Sequence, residues 1–282
     1  MTCYGCYSLC VIESIIKIMS TKSFNFTHAI TRRPSFSVVS GLRSTERGAP
    51  NFELMRDHHL EYVNALKQAG AKVIELDSLE DFPDSVFVED TALCLPEGAI
   101  LMRPGAPSRL NEVEHIAPHL RKLYKNVFEI KGPGTIEAGD ILTTEKEILI
   151  GRSSRTNIEG ISELTFMLEQ WNYKVTEVIT PPDILHFKTD CSLLDNNTIL
   201  STERLAATGC FENYKVILTY PGEEDAANTI RYNNLVLAPK GFPKTTGRLL
   251  KSGFNVVEIE NTECAKIDGG MSCLSLRFSP NK

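Results

Sequence analysis

A chain of 282 residues, 42% hydrophobic and 23% charged, is long enough for one large globular domain or two small ones with a substantial core. Thirty basic against 36 acidic residues give a net charge of −6, and no basic run exceeds Arg32-Arg33, which argues against a nucleic-acid partner. No apolar run reaches the roughly 18 residues of a membrane-spanning helix.

In chain order, residues 1–22 read as a poorly ordered extension ahead of a single domain at 23–282. Cys3, Cys6 and Cys10 precede the apolar stretch Val11–Met19, which lacks the basic start of a signal peptide. No fourth ligand suggests a zinc site there, and Met19 offers an alternative start. The remaining cysteines, Cys94, Cys191, Cys210, Cys264 and Cys273, mostly lie in apolar, strand-like runs, as reduced thiols of a cytosolic protein do.

A first strand is expected over Thr27–Ser37. A helical stripe then joins Met55, His59, Tyr62, Leu66 and Ala69. Two more follow, through Val113, Ile116, Leu120 and Leu123 (with Pro118 as a kink or break) and through Ile158, Ile161, Leu168 and Trp171. After each comes a β-rich run of one type: Lys72-Val-Ile-Glu-Leu, Asn126-Val-Phe-Glu-Ile and Lys174-Val-Thr-Glu-Val. Two further copies are Lys215-Val-Ile-Leu and Asn255-Val-Val-Glu-Ile. Val73, Val127, Val175, Val216 and Val256 are thus spaced by 54, 48, 41 and 40 residues, a repeat of supersecondary size.

Between these runs lie pairs of strand-like segments around turn formers: Val86–Leu95 with Ala99–Arg103, Asp140–Thr144 with Glu147–Arg152, Lys188–Leu194 with Thr198–Thr202, and Thr229–Tyr232 with Leu235–Pro239. Four units of hairpin, helix and strand result. A fifth closes if the C-terminal strand Met271–Phe278 joins Thr27–Ser37. The expected fold is a five-bladed α/β propeller of ββαβ repeats with pseudo-five-fold symmetry, no free edge, and a central pocket.

Each hairpin opens on a chemically active residue where an apolar one would suit a buried strand: Glu89-Asp90, Glu137 with Asp140, His186, Asp225, and Cys273. Rotation would bring them together at one end of the axis. A thiol beside an imidazolium is a nucleophile with an acid/base at hand. Carboxylates crowded around it call for a bound cation, and a guanidinium pairs bidentately with them. Glu137 and Asp90 are the candidates. Gly269-Gly270, just before Cys273, would let backbone approach a ligand. Arg109 and Arg155 occupy equivalent places between hairpin and helix, suited to an amino-acid carboxylate.

Six segments, in order, resemble the dimethylarginine dimethylaminohydrolase family of the guanidino-group-modifying superfamily: Phe82-Pro-Asp-Ser-Val-Phe-Val-Glu-Asp, Arg103-Pro-Gly-Ala-Pro-Ser-Arg, Thr135-Ile-Glu-Ala-Gly-Asp-Ile-Leu, Ser154-Arg-Thr-Asn, Leu185-His-Phe-Lys-Thr and Gly269-Gly-Met-Ser-Cys. The resemblance runs from about Thr27 to Phe278 and implies the same propeller. It implies Cys273 as nucleophile, His186 as general acid/base, and Glu137 as the acid that orients the histidine and touches the guanidinium. Asp90, supported by Glu89, would bind the guanidinium; Arg109 and Arg155 the α-carboxylate; Asp84 would lie near the α-amino group. Leu42, in Ser40-Gly-Leu-Arg-Ser, falls on a lid.

The implied reaction hydrolyses a methylated arginine to citrulline and an amine through a covalent S-alkylthiouronium, without metal or organic cofactor, in a cytoplasmic monomer or homodimer. The alternatives are an arginine deiminase or another guanidine-modifying enzyme of this fold, and a non-catalytic arginine-binding or redox-sensing protein. Deiminases carry His-x-Asp where this chain has His186-Phe-Lys188, and the strand Met271-Ser-Cys-Leu-Ser-Leu-Arg-Phe reads more like microbial than vertebrate members.

Overall fold

The computed structural model describes residues 23–280. The extension with Cys3, Cys6 and Cys10 therefore lies outside the described residues.

Fifteen strands form five three-stranded sheets among these residues. They are β1 (His28–Arg32), β2 (Lys72–Leu76), β3 (Ala92–Leu95), β4 (Gly98–Leu101), β5 (Val127–Glu129), β6 (Ile141–Thr143), β7 (Ile148–Arg152), β8 (Val175–Ile179), β9 (Cys191–Leu193), β10 (Thr198–Ser201), β11 (Lys215–Leu218), β12 (Ile230–Tyr232), β13 (Leu235–Pro239), β14 (Asn255–Ile259) and β15 (Leu276–Phe278). Every sheet has one plan. An inner strand pairs antiparallel with a middle strand, and the middle strand pairs parallel with an outer one after a helical crossover. The fifth sheet joins the two ends of the chain: β15 pairs antiparallel with β1 through Ala29 opposite Arg277, and β1 pairs parallel with β2. The ring is closed as the repeat implies, and the family resemblance in fold holds.

Alternation of side chains decides how the sheets pack. Ile100 faces one neighbouring sheet while Ala99 and Leu101 face the other; Leu149 and its neighbours Ile148 and Ile150 divide in the same way. Both faces of each sheet are covered, and the apolar interior divides into five clusters, each between adjacent sheets. Strands buried on both sides lose the polar alternation of a half-exposed sheet. That accounts for the continuously apolar runs in the sequence.

Helix Phe52–Gln68 starts at Asn51, whose side chain accepts from the Leu54 amide at 3.0 Å. It buries Met55, His59, Tyr62 and Leu66 as its periodicity requires. The second crossover is broken rather than kinked. A 3-10 segment Pro107–His115 ends before helix Ala117–Leu123, which carries Pro118 in its first turn, where a missing N–H costs nothing. The third stripe needs correction: in helix Ile158–Glu169 the buried positions are Gly160, Ile161, Leu164 and Leu168, while Ile158 is exposed and Trp171 lies beyond the helix. The other two crossovers, Glu203–Ala206 and Pro243–Lys251, are short enough to escape periodicity.

The inner strands are also shorter than their apolar runs suggest. Val86–Thr91 and Met271–Ser275 are not strand. Short 3-10 turns precede β3, β6, β9, β12 and β15, at Val88–Thr91, Ala138–Asp140, Phe187–Thr189, Glu224–Ala227 and Ser272–Leu274. Likewise, the first strand stops at Arg32, before Pro34 and the turn Phe36–Ser40.

Candidate active site

The reactive residues sit on those turns or at their edges, not on the strands. The turns at Val88–Thr91, Phe187–Thr189 and Ser272–Leu274 bend the chain as it enters the inner strand, so neighbouring side chains point toward two separate spaces. One is a pocket lined by Leu42, Asp84, Asp90, Arg109, Arg155, His186, Asp268 and Cys273, with Phe87, Leu185, Ile267 and Gly269 completing its wall. The other is an axial cavity whose wall includes the inner strands together with Glu89, Lys188, Ser272 and Arg277.

At the pocket, His186 Nε2 lies 2.6 Å from Glu137 Oε2 and 3.9 Å from Asp90 Oδ1. Burial alone would discharge the imidazole. Asp90, Glu137 and Asp140 outweigh it and raise the His186 pKa to about 9. In turn, although burial opposes it, the hydrogen bond from His186 holds the Glu137 carboxyl well below the usual range. The other Glu137 oxygen accepts from the Gly105 amide at 2.9 Å and from Arg155 Nη1 at 3.4 Å. Glu137 is completely buried and stands behind His186 rather than on the pocket wall.

Asp90 is held at both oxygens. Gly139 N donates to Oδ1 at 3.1 Å, and Arg109 Nη1 to Oδ2 at 2.5 Å. Arg109 is gripped by a second acid that the sequence reading missed: Glu112 accepts from its Nε at 3.1 Å and from its Nη2 at 2.8 Å, while Phe87 O takes Nη2 at 2.9 Å. Arg109 is thus nearly saturated. Arg155 is more open, with one long contact at 3.4 Å. Asp84 Oδ1 accepts from the Leu42 amide at 2.9 Å and Asp268 Oδ2 from the Ser44 amide, so two pocket acids anchor the segment over the mouth. Burial pushes the Asp84 carboxyl up against the pull of Arg109.

Cys273 is buried, and its thiol is pushed up to about 12, first by burial and then by the negative charges of Asp90 and Glu89. These surroundings hold the thiol neutral. Its turn is fixed from outside. Asn228 Oδ1 accepts from Ser272 N at 2.8 Å, and Tyr62 OH donates to Met271 O at 2.9 Å. The two glycines serve this packing: a Cβ on Gly269 would lie 2.4 Å from the Phe87 ring and one on Gly270 2.2 Å from Asn228. Gly269 also lines the pocket, where the sequence expects backbone to approach a ligand.

The structure brings Cys273, His186, Asp90, Asp84, Arg109, Arg155 and Leu42 to one pocket with Glu137 behind it. It does not bring Glu89, which turns to the axial side and pairs with Lys188 at 2.6 Å and Arg277 at 2.5 Å. Asp225 is exposed and pairs with Arg47, and Asp140 is a buried brace that accepts from Ser153, Thr156 and the Phe187 amide. Asn228, a polar residue just before a hairpin, is the feature of that fourth turn that reaches the turn carrying the nucleophile.

Asp90, Glu137 and His186 each offer a donor atom within 4.8 Å of the others. All three are already engaged, by Arg109, the Gly105 amide and each other, so an ion there would have to break these bonds. Five acids, Asp84, Asp90, Glu112, Glu137 and Asp268, face three cations, Arg109, Arg155 and the His186 imidazolium. The excess of negative charge suits a cationic ligand.

Comparison with known proteins agrees. The arginine deiminase family model matches residues 77–232. The N(G),N(G)-dimethylarginine dimethylaminohydrolase of Pseudomonas aeruginosa is 38% identical over 254 residues, covering 90% of this chain and all of that one. The protein of the same description from Streptomyces coelicolor is 31% identical, covering 89% of this chain and 96% of its own length. The solved Pseudomonas structure complexed with citrulline superposes with a TM-score of 0.88, over 90% of this chain and 100% of that one. The N-terminal domain of a cyanobacterial arginine dihydrolase shares the fold at 19% identity, with a TM-score of 0.82.

Proposed function

The chain belongs to the dimethylarginine dimethylaminohydrolase family, and on that premise we propose that its pocket hydrolyses asymmetric dimethylarginine and monomethylarginine to citrulline and dimethylamine or methylamine. The observation that carries the residue assignment is the buried Glu137–His186 pair at 2.6 Å opening on the same pocket as Cys273 and Asp90. We assign Cys273 as nucleophile, His186 as acid and base, Glu137 as the group that orients and charges His186, Asp90 as guanidinium partner, and Arg155 with Arg109 as carboxylate partners.

The resting pocket holds a neutral thiol and an imidazolium. A bound guanidinium cancels the charge of Asp90, which is one of the causes keeping the thiol protonated, and the Cys273 proton leaves to solvent. The thiolate then attacks the guanidinium carbon and forms the C–S bond. His186 passes its proton to the methylated nitrogen, the C–N bond breaks, and the amine departs, leaving a cationic S-alkylthiouronium. Neutral His186 takes a proton from water, the hydroxide adds to the same carbon, and collapse breaks the C–S bond as the adduct's hydroxyl gives up its proton to solvent, where the released amine is protonated. Citrulline leaves, Cys273 is again a thiolate, and His186 is again charged. The scheme uses no metal or organic cofactor.

A same-fold deiminase is the second reading, favoured by the family model matched over residues 77–232. Against it, Lys188 stands where the deiminase pattern His-x-Asp has its second acid, and it points to Glu89 instead of the pocket. Among the described residues five cysteines are all free and no helix is long and apolar enough to cross a membrane. The free thiols support a cytoplasmic location, and the enzyme would act as a monomer or homodimer. The test is incubation with asymmetric dimethylarginine and, separately, arginine, with citrulline, dimethylamine and ammonia assayed beside Cys273→Ser. Citrulline and dimethylamine from the parent alone are expected. Ammonia from arginine as the dominant product would replace this reading with the deiminase.

A further inference from the structure

The turn that carries Cys273 barely holds itself. Its closing hydrogen bond, Ser275 N to Ser272 O, is 3.5 Å long, at the outer limit for a hydrogen bond. The buried carbonyls on either side of the nucleophile need partners, and one side chain supplies them. Arg277 Nη1 donates to Ser272 O at 2.8 Å, Ser275 O at 2.9 Å and Ser275 Oγ at 3.0 Å. Its Nη2 donates to Glu89 Oε1 at 2.5 Å, and Lys188 Nζ meets the same oxygen at 2.6 Å. The Arg277 side chain is 13% exposed, and the planar guanidinium spans turn and carboxylate in a way a single ammonium does not.

We propose that Arg277 is a positioning residue for Cys273: anchored by Glu89, its guanidinium clamps the carbonyls that bracket the nucleophile and thereby fixes the thiolate against the ligand carbon. Glu89, expected from the sequence to support substrate binding, acts from the axial side as the anchor of that clamp. The proposal rests on Cys273 being the nucleophile of the proposed reaction.

Lys188 provides the control. Glu89 has two cationic partners, so Arg277→Met and Lys188→Met each leave it with one, and the charge lost is the same. Only Arg277→Met also removes the carbonyl contacts. Arg277→Lys keeps the charge and loses the planar span. Steady-state kinetics with asymmetric dimethylarginine, thermal unfolding, and the rate at which iodoacetamide labels Cys273, followed by peptide mass spectrometry, are measured for all three.

The expected result is a kcat about a hundred-fold lower for Arg277→Met, with KM changed by no more than about three-fold, a loss well beyond that of Lys188→Met. Arg277→Lys should fall between parent and Arg277→Met. Equal losses in Arg277→Met and Lys188→Met would overturn the proposal and leave Arg277 as a counter-ion only. If Arg277→Met does not fold, Arg277→Lys decides: a kcat matching the parent overturns the proposal. If the parent turns over no methylarginine, the proposed function fails, and the labelling rate still decides the clamp. A rate altered in Arg277→Met but not in Lys188→Met supports it; equal rates overturn it.

Discussion

The same turns present two faces with opposite electrostatic rules. Toward the pocket go Asp90, His186 and Cys273, where acids outnumber cations and one arginine, Arg155, is left loosely paired. Toward the axial cavity go their near neighbours Glu89, Lys188 and Ser272, joined by Arg277, where one acid meets two cations at 2.5–2.6 Å. Burial alone raises the Glu89 carboxyl, yet Lys188 and Arg277 more than offset it and hold it ionised. One face is left short of positive charge, which suits a cationic ligand; on the other, the single acid is fully answered by two cations of the protein. A buried group thus contributes to binding or to architecture according to whether its charge is already balanced.

The sharpest test of the pocket face is its acid/base pair. Glu137→Gln should lower kcat by about a hundred-fold or more while the fold survives. In the parent, His186 is charged below about 9, so a step needing its proton loses rate as pH rises through that value. Removing the Glu137 charge lowers the His186 pKa and shifts this alkaline limb toward neutral pH, which a kcat–pH profile reads. An unshifted limb would detach the titration from His186. The same ionisation contributes stability that is fully present below about 6.5 and lost as pH rises through about 9.

On the axial face, Glu89→Ala leaves Lys188 and Arg277 buried without their anion. It should cost about 3–5 kcal/mol in denaturant unfolding, the largest stability effect of the set. A cost near zero would mean that the face is not a closed charge cluster. Next, Arg155→Ala should raise KM about ten-fold or more with little change in kcat, because a ligand carboxylate is held equally in ground and transition states. A fall in kcat instead would place Arg155 in the chemistry. The smallest effect is reserved for Asp225→Asn. This residue and Arg47 are both about half exposed, so stability should change by less than about 1 kcal/mol and turnover should stay at the parental value.

Much of this molecule was legible in its residues. Val73, Val127, Val175, Val216 and Val256 marked the outer strands, and the pairing of β15 with β1 followed from completing a fifth unit. Such features are local: apolar period, turn formers and spacing depend on neighbours along the chain. So do the places of Asp90, His186 and Cys273, which ride on or beside turns that the repeat puts at one end. What tertiary structure alone decided is which way each side chain of a turn faces. Glu89 and Asp90 are adjacent, yet one anchors the axial cluster and the other faces His186. Asp225 looked equivalent to them and points to solvent, while Asn228, Glu112, Tyr62 and Arg277 reach the site from other segments. A 3-10 turn rotates successive side chains by about 120°, so a one-residue difference in where it begins redirects a carboxylate from one space to the other. That offset is set by packing between sheets distant in sequence, and no periodicity along the chain encodes it.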